Sequence, residues 1–323
     1  MSRQDNQSRS RSQERAAAVA GIFLIGLGLV GCTGGDRKQP VEANDLAHVP
    51  SKLVPIVVAG DATSPAADGR FVAWTIGAAD LASTKTRVGA LYVKDLATGR
   101  VYRVNPLGTL ASTGGIDRGR LAYEQSGDLA LYDLRTRTPE PLPPGINTPQ
   151  IEWRPFISGR LLLFGRIGDG YKIFLYDFRT RRLMKLDEIA GHGAYAVPGQ
   201  VNGRFAIWTA CPDNACAIYR YDILLHKVER LSNGGPPSHA VYAPSVASNG
   251  TAYFARSALG CGSDVALMRY SERHSVSRVL TLPVGLDFQY SYVQQRRSGL
   301  RVFIDLYDCR TKRSAIYAID RRG

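Results

Sequence analysis

Short apolar runs alternate with charged turns along most of the chain, and the alternation repeats. Residues 172–186, KIFLYDFRTRRLMKL, read as a buried strand, a charged turn and a second strand. Near-copies begin at Ala90 (ALYVKDLATGRVYRV), Leu129 (LALYDLRTRTPEPL), Cys216 (CAIYRYDILLHKVERL) and Val265 (VALMRYSERHSVSRVL), and a fragment, SAIYAID, begins at Ser314. A second mark precedes each copy. Gly69, Gly119, Gly159, Gly203, Gly250 and Gly299, usually followed by Arg, each open a short apolar strand: GRFVAWT, GRLAYEQ, GRLLLFGR, GRFAIWT, GTAYFAR and GLRVFID. The steps between them are 50, 40, 44, 47 and 49 residues, the period of a propeller blade of four antiparallel strands.

Each unit keeps one order. An innermost strand such as Trp153 to Ile157 meets a tight turn with Gly, the second strand returns, and a variable loop follows. The third strand runs to an Asp, at Asp95, Asp133, Asp177, Asp222 and Asp320, whose carboxylate is expected to cap the next turn through backbone N–H groups. An outer strand then leads to the next unit. The sixth unit lacks its outer strand, and LVPIVVAG (Leu53 to Gly60), ahead of the first unit, matches the outer-strand ends. It is expected to pair with Ala315 to Ile319 and close the ring, leaving no free sheet edge. The predicted fold is an all-β, six-bladed β-propeller over residues 53–323.

SPAADGRFVAWT followed by ALYVKDLATGRVYRV resembles the blade repeat of TolB-type six-bladed propellers, S-P-D-G-x-x-hydrophobic-A-F and then hydrophobic-Y-hydrophobic-x-D-hydrophobic-x-T-G. The resemblance covers residues 52–323. It departs from the pattern where the S-P-D-G element becomes ISGR, VNGR and ASNG, and in a short second blade. It implies the propeller fold and marks the repeat, without naming a biochemical activity.

The N-terminal region has a different character. Residues 1–15 are polar with four arginines, and Ala16 to Gly31 is an uninterrupted apolar run of 16 residues, the length and flanks of a secretion signal and short for a membrane span. The run ends in Leu29-Val30-Gly31-Cys32, which resembles the lipobox of bacterial lipoproteins and implies acylation of Cys32. Residues 1–31 are therefore read as a signal peptide and 32–52 as a flexible tether. The mature protein is expected to be exported and held on the bacterial cell membrane or outer membrane by its acyl chains, facing the periplasm or exterior.

Four cysteines remain, and an oxidising compartment favours their pairing. Cys211 and Cys216 flank a short loop in the middle hairpin of the fourth unit, while Cys261 and Cys309 lie in the matching loops of the fifth and sixth. Disulfides 211–216 and 261–309 are expected. The C-x4-C spacing of Cys211 and Cys216 also occurs in some zinc knuckles, but no histidine lies nearby in sequence.

Formal charge is +13, and removal of residues 1–31, with four arginines against two acids, leaves +11. The excess falls in the turns joining first to second and third to fourth strands, which share one face of a propeller. Arg135, Arg137, Arg181 and Arg182 are among them, as are His226 and His274, read as solvated turn residues. Export makes nucleic acid an unsuitable partner for this face, and an anionic lipid surface a suitable one. The opposite face carries the insertion Thr75 to Gly89 and the loops that enter the innermost strands. GHGAYAVP and PSHAVYAP place His192 and His239 equivalently there. With Glu152, Trp153, Arg154, Tyr195, Tyr242, Asp287, Tyr290 and Tyr292 they form an expected rim of aromatics and hydrogen-bonding groups around the channel mouth, suited to a protein, peptide or glycan partner.

No G-x-S-x-G elbow, dinucleotide or phosphate-binding glycine loop, or sialidase-type Asp-box occurs, and no cofactor is implied. The chain reads as a monomeric, non-enzymatic binding scaffold of the cell envelope. The alternative is a metal-dependent hydrolase or lactonase whose ion is held at the rim by two histidines and two carboxylates.

Overall fold

The computed structural model describes residues 46, 49–58, 61–77, 89–191, 193–212, 215–232, 240–257, 264–271 and 274–321. Six four-stranded antiparallel sheets stand around one axis. Blade 1 is β2 (Ala62–Ala67), β3 (Phe71–Ile76), β4 (Ala90–Asp95) and β5 (Val101–Arg103). Blade 2 is β6 (Ala111–Asp117), β7 (Arg120–Gln125), β8 (Asp128–Asp133) and β9 (Thr138–Glu140). Blade 3 is β10 (Ile151–Ser158), β11 (Leu161–Ile167), β12 (Tyr171–Asp177) and β13 (Arg182–Ile189). Blade 4 is β14 (Tyr195–Asn202), β15 (Phe205–Cys211), β16 (Ala217–Asp222) and β17 (Lys227–Arg230). Blade 5 is β18 (Ala240–Val246), β19 (Ala252–Ser257), β20 (Val265–Tyr270) and β21 (Val276–Leu282). Blade 6 takes β22 (Leu286–Arg296), β23 (Gly299–Asp308) and β24 (Arg313–Arg321) from the end of the chain and its outer strand, β1 (Val54–Val57), from the start. Val54 faces Ala318 and Val57 faces Ile316, so the expected closure is the one formed. The expected all-β, six-bladed propeller is the fold.

The core lies between the sheets. Second strands are buried on both faces, as in Phe205–Cys211, whereas outer strands such as Lys227–Arg230 are mostly exposed. That gradient explains why the second strands read as continuous apolar runs.

The recurrent Gly-Arg and the recurrent Asp prove to be one device. Arg70 grips Asp95 through Nε (3.0 Å) and Nη2 (2.7 Å), Arg204 grips Asp222 in the same way, and Arg160 reaches Asp177 at 3.2 Å. The same carboxylates cap the third-to-fourth-strand turns as expected: Asp95 accepts from Ala97 N, Asp133 from Arg135 N, Asp177 from Arg179 N and Asp222 from Leu224 N. Arg70 holds the Asp95 carboxyl down at about 2. Asp320 lies at the blade whose outer strand comes from elsewhere, and instead takes Nε and Nη2 of Arg301 at 2.6 Å each.

Neighbouring blades are tied by the residue before the turn. Asp68 accepts from Gly119 N, Asp117 from Gly159 N and Ser158 from Gly203 N, while Asn202 donates to Val246 O. At the axis the six innermost strands β2, β6, β10, β14, β18 and β22 touch in a complete circle, and crowding there sets the sequence. A Cβ on Gly114 would come within 1.8 Å of Pro155 O, and one on Gly199 within 2.5 Å of Pro244 O. Gly114→Ala is expected to destabilise the protein by about 2–4 kcal/mol in urea unfolding. Gly99→Ala, at a turn with positive φ (+72) and nothing within 4 Å, should cost only about 1 kcal/mol. Equal losses would show that backbone strain, and not crowding at the axis, sets the glycine.

Candidate functional site

Each innermost strand carries a β-bulge at one level, where two of its residues oppose one of the second strand. The bulged pairs are Ser64-Pro65, Gly114-Gly115, Arg154-Pro155, Gly199-Gln200, Ala243-Pro244 and Gln289-Tyr290. Blades 1, 3 and 5 thus carry X-Pro, and Ser64, Arg154 and Ala243 share positive φ of 53°, 48° and 51°. Blades 2 and 4 carry Gly-X, which lets the facing proline carbonyls approach. Blade 6 breaks the alternation with Gln289-Tyr290, and blade 3 puts the one charged side chain, Arg154, into the circle.

Blade 6 pays for its exception with a buried acid. Asp305, on β23 opposite the bulge, is 2% exposed and accepts from Gln289 N (2.9 Å), Tyr290 N (2.7 Å) and, across the blade boundary, Ser64 N (3.4 Å). In the other blades the residue opposite the bulge is Trp74, Ala122, Phe164, Ile207 or Phe254. Burial raises the Asp305 carboxyl to about 7, although three backbone N–H groups and the charge of Arg154 pull it down. Glu124, at the end of β7, is also raised to about 7 by burial, against Arg154 and the backbone N–H groups of Arg154 and Gly127.

Arg154 stands between these acids. Its guanidinium lies 4.2 Å from the centre of the Tyr290 ring and 6.0 Å from that of Trp153. Among the described residues the guanidinium makes no hydrogen bond or ion pair, and there its donors are unspent. Behind this level the axis is bridged. Gln200 donates to Val293 O (2.8 Å) and accepts from Val293 N (3.0 Å), and the Tyr292 hydroxyl donates to Ile116 O (2.8 Å), spanning blades that are not neighbours. Arg154 and Tyr290 thus meet at the axis on the level of the bulges, and this end of the axis is called the cup.

The expected rim residues separate into groups. Arg154 and Tyr290 meet across the axis, and Trp153 backs Arg154 from the core. The Tyr242 hydroxyl donates to Asp287 Oδ1 at 2.8 Å, and burial pushes the Asp287 carboxyl up and the Tyr242 phenol well up. Tyr292 is not on the rim: it is 4% exposed and belongs to the bridge inside the ring. Glu152 is fully buried in blade 3, held by Thr148 Oγ1 (2.6 Å) and Arg166 Nε (2.8 Å), and does not reach the cup. Tyr195 stands apart at blade 4, its hydroxyl 3.3 Å from Cys216 Sγ.

His192, His239, Cys32, Cys261 and most of the Thr75 to Gly89 insertion lie outside the described residues. The Cys211–Cys216 disulfide is formed, and Cys309 is disulfide-bonded with a partner outside the described residues. Among the described residues no three His, Cys, Asp or Glu side chains gather as a metal set. His226 and His274 do lie in turns, but their Nδ1 atoms engage Tyr221 (2.8 Å) and Tyr270 (2.6 Å), so they are partnered residues and not simply solvated ones.

Sequence reasoning missed Asp305, Glu124 and Gln200. A signal for both acids was present, since GLRVFID and GRLAYEQ are the two of the six second-strand runs that contain one.

No protein-family model matches the chain, and no curated protein matches its sequence. Solved structures do match. A calcium-binding protein, regucalcin, from Agrobacterium tumefaciens aligns at 14% identity and TM-score 0.53, over 83% of this chain and 92% of that one. A Bacteroides thetaiotaomicron protein of unknown function aligns at 12% identity and TM-score 0.52, over 83% and 72%. TolB from Acinetobacter baumannii aligns at 17% identity and TM-score 0.49, over 78% of this chain and 64% of that one. The likeness is one of fold. These identities carry no activity across, and the cup must be read from its own residues.

A buried carboxyl raised in the folded state ionises later than in the unfolded chain, so stability falls as pH rises from about 4 to about 7 and stays low above. Between pH 5 and pH 8 wild type should lose about 2–3 kcal/mol more than Asp305→Asn in urea unfolding. Parallel pH profiles would show that Asp305 is ionised throughout.

Proposed function

We propose that the protein is an exported, lipid-anchored propeller that works as a non-enzymatic binding scaffold at the cell envelope. It takes a protein, peptide or glycan partner at the cup. The observation that carries this reading is Arg154, held at a positive φ over Tyr290 with its donors unspent among the described residues. A non-glycine residue in that conformation costs about 1–3 kcal/mol, and strain kept beside unsatisfied donors suits a group that meets its acceptor on binding. Below about pH 7, where burial keeps Asp305 and Glu124 protonated, the guanidinium charge is uncompensated.

The test is capture from envelope extract with wild type and with Arg154→Ala as bait. A partner retained by wild type and weakened about 10-fold or more by Arg154→Ala, with an unchanged unfolding midpoint, supports the cup. A partner held equally by both baits places recognition elsewhere.

The opposite face supports the anchoring half of the reading. β1 begins on the face that carries the turn arginines, so a tether from Cys32 would reach it there. Several of those arginines are consumed by carboxylates, as in Arg70–Asp95, Arg120–Glu140 and Arg204–Asp222. Arg135, Arg137, Arg181 and Arg182 have no ion pair among the described residues and remain for an anionic surface. Protein lacking the acyl group should bind anionic vesicles and not neutral ones, with salt-sensitive binding that drops about 10-fold or more when these four become Ser. Equal binding to both vesicle types, indifferent to salt and to the substitutions, would leave the face without a membrane role.

A further inference from the structure

On the face of the turns, a groove runs between blades 5 and 6, lined by Arg269, Ser277, Arg278, Asp320 and Arg321 over Tyr253. The sheet register builds it. Tyr253 faces Arg269 and Arg269 faces Ser277, so three side chains of β19, β20 and β21 stand in one row. Arg321, at the end of β24, enters from blade 6.

Three arginines, Arg269, Arg278 and Arg321, therefore line the groove with one carboxylate, Asp320, and that carboxylate is already engaged by two others. Both oxygens of Asp320 take Arg301 at 2.6 Å, and Oδ1 also has Arg296 at 3.3 Å. Among the described residues the Nε atoms of Arg269 and Arg321, shut off from solvent, have no acceptor. Arg321 spends one Nη2 hydrogen on Val279 O at 3.2 Å. Arg269 and Arg278 make no ion pair among the described residues. Buried donors without acceptors are costly, and arginines that line one groove from separate strands match the several oxygens of a tetrahedral anion better than one planar carboxylate.

We propose that this groove is a binding site for a phosphate-type oxyanion, with Arg269, Arg278 and Arg321 as its charged donors and the Ser277 hydroxyl as a neutral one. The phosphate can belong to a lipid headgroup or be free in solution. The site lies on the face where β1 enters, within reach of a membrane if the anchoring reading above holds, but binding of free phosphate does not depend on that reading.

Equilibrium dialysis of the full-length protein in nonionic detergent against labelled inorganic phosphate is the primary measurement. Saturable binding of one phosphate per chain is expected, displaced by sulfate and not by chloride. Arg278→Ser, at an exposed position, and Arg269→Gln should each weaken it about 10-fold or more, with unfolding midpoints near that of wild type. No saturable binding, or binding unchanged in Arg278→Ser, overturns the proposal whether or not Arg269→Gln folds. The unacylated protein on phosphatidylglycerol vesicles then separates the sources. Weaker vesicle binding by Arg278→Ser assigns the site to headgroups, and unchanged vesicle binding with lost phosphate binding assigns it to free phosphate. Failure of vesicle binding in wild type, with phosphate binding intact, would count against the anchoring reading and leave the site standing.

Discussion

Six strands have to meet around one axis, and the space there admits little beyond backbone. Nearly every feature of the cup follows from that constraint. Two blades answer it with Gly-X, so that a neighbouring proline carbonyl can come close to the backbone, as at Gly114 and Pro155. Three answer it with X-Pro, whose first residue turns to positive φ. Where neither is used, in blade 6, the bulged amides of Gln289 and Tyr290 need another acceptor, and Asp305 provides it. The acid that makes the cup electrostatically unusual is thus a consequence of how one blade satisfies its backbone.

The same constraint makes Arg154 conspicuous. Ser64, Gly114, Gly199 and Ala243, at levels equivalent to Arg154, are small, whereas blades 3 and 6 contribute Arg154 and Tyr290. Those two stack, guanidinium on phenol ring, at 4.2 Å. Burial lifts both acids around them to about 7. With both protonated the centre is cationic, and with both ionised it carries a net negative charge. A site of this kind has a sign set by its surroundings, which a list of its residues does not reveal.

The architecture was legible because its signals are periodic. Gly-Arg and Asp recur at blade spacing since blades 1, 3 and 4 use the pair as a clasp, and the orphan strand at Leu53 was recognisable by its likeness to other outer strands. The rim was legible only in part. Arg154, Tyr290, Tyr242 and Asp287 were named from their place near the start of an innermost strand. Tyr292 and Glu152 occupy similar places yet point into the structure, because side chains alternate along a strand and each bulge resets the alternation. Asp305 and Glu124 lie on second strands, far in sequence from the bulges they face, and Gln200 reaches Val293 across 93 residues. Pairings of that range leave no periodic trace.

The outer turns offer an independent view of the basic face. In blade 1 the left-handed position of the third-to-fourth-strand turn is Gly99, the residue that adopts it without steric cost. Blades 2 to 5 put Arg137, Arg181, His226 and His274 at that position, with φ between 50° and 62°, each at about 1 kcal/mol relative to glycine. Three of the four recover something locally. His226 and His274 bond to tyrosine hydroxyls, and the Arg137 guanidinium covers the Tyr102 ring at 4.8 Å while its carbonyl accepts from Tyr132 at 2.8 Å. Arg181 has no such partner among the described residues and is exposed. Among the described residues no side-chain contact offsets its strain, and the anionic surface proposed above would give that arginine a partner outside the fold.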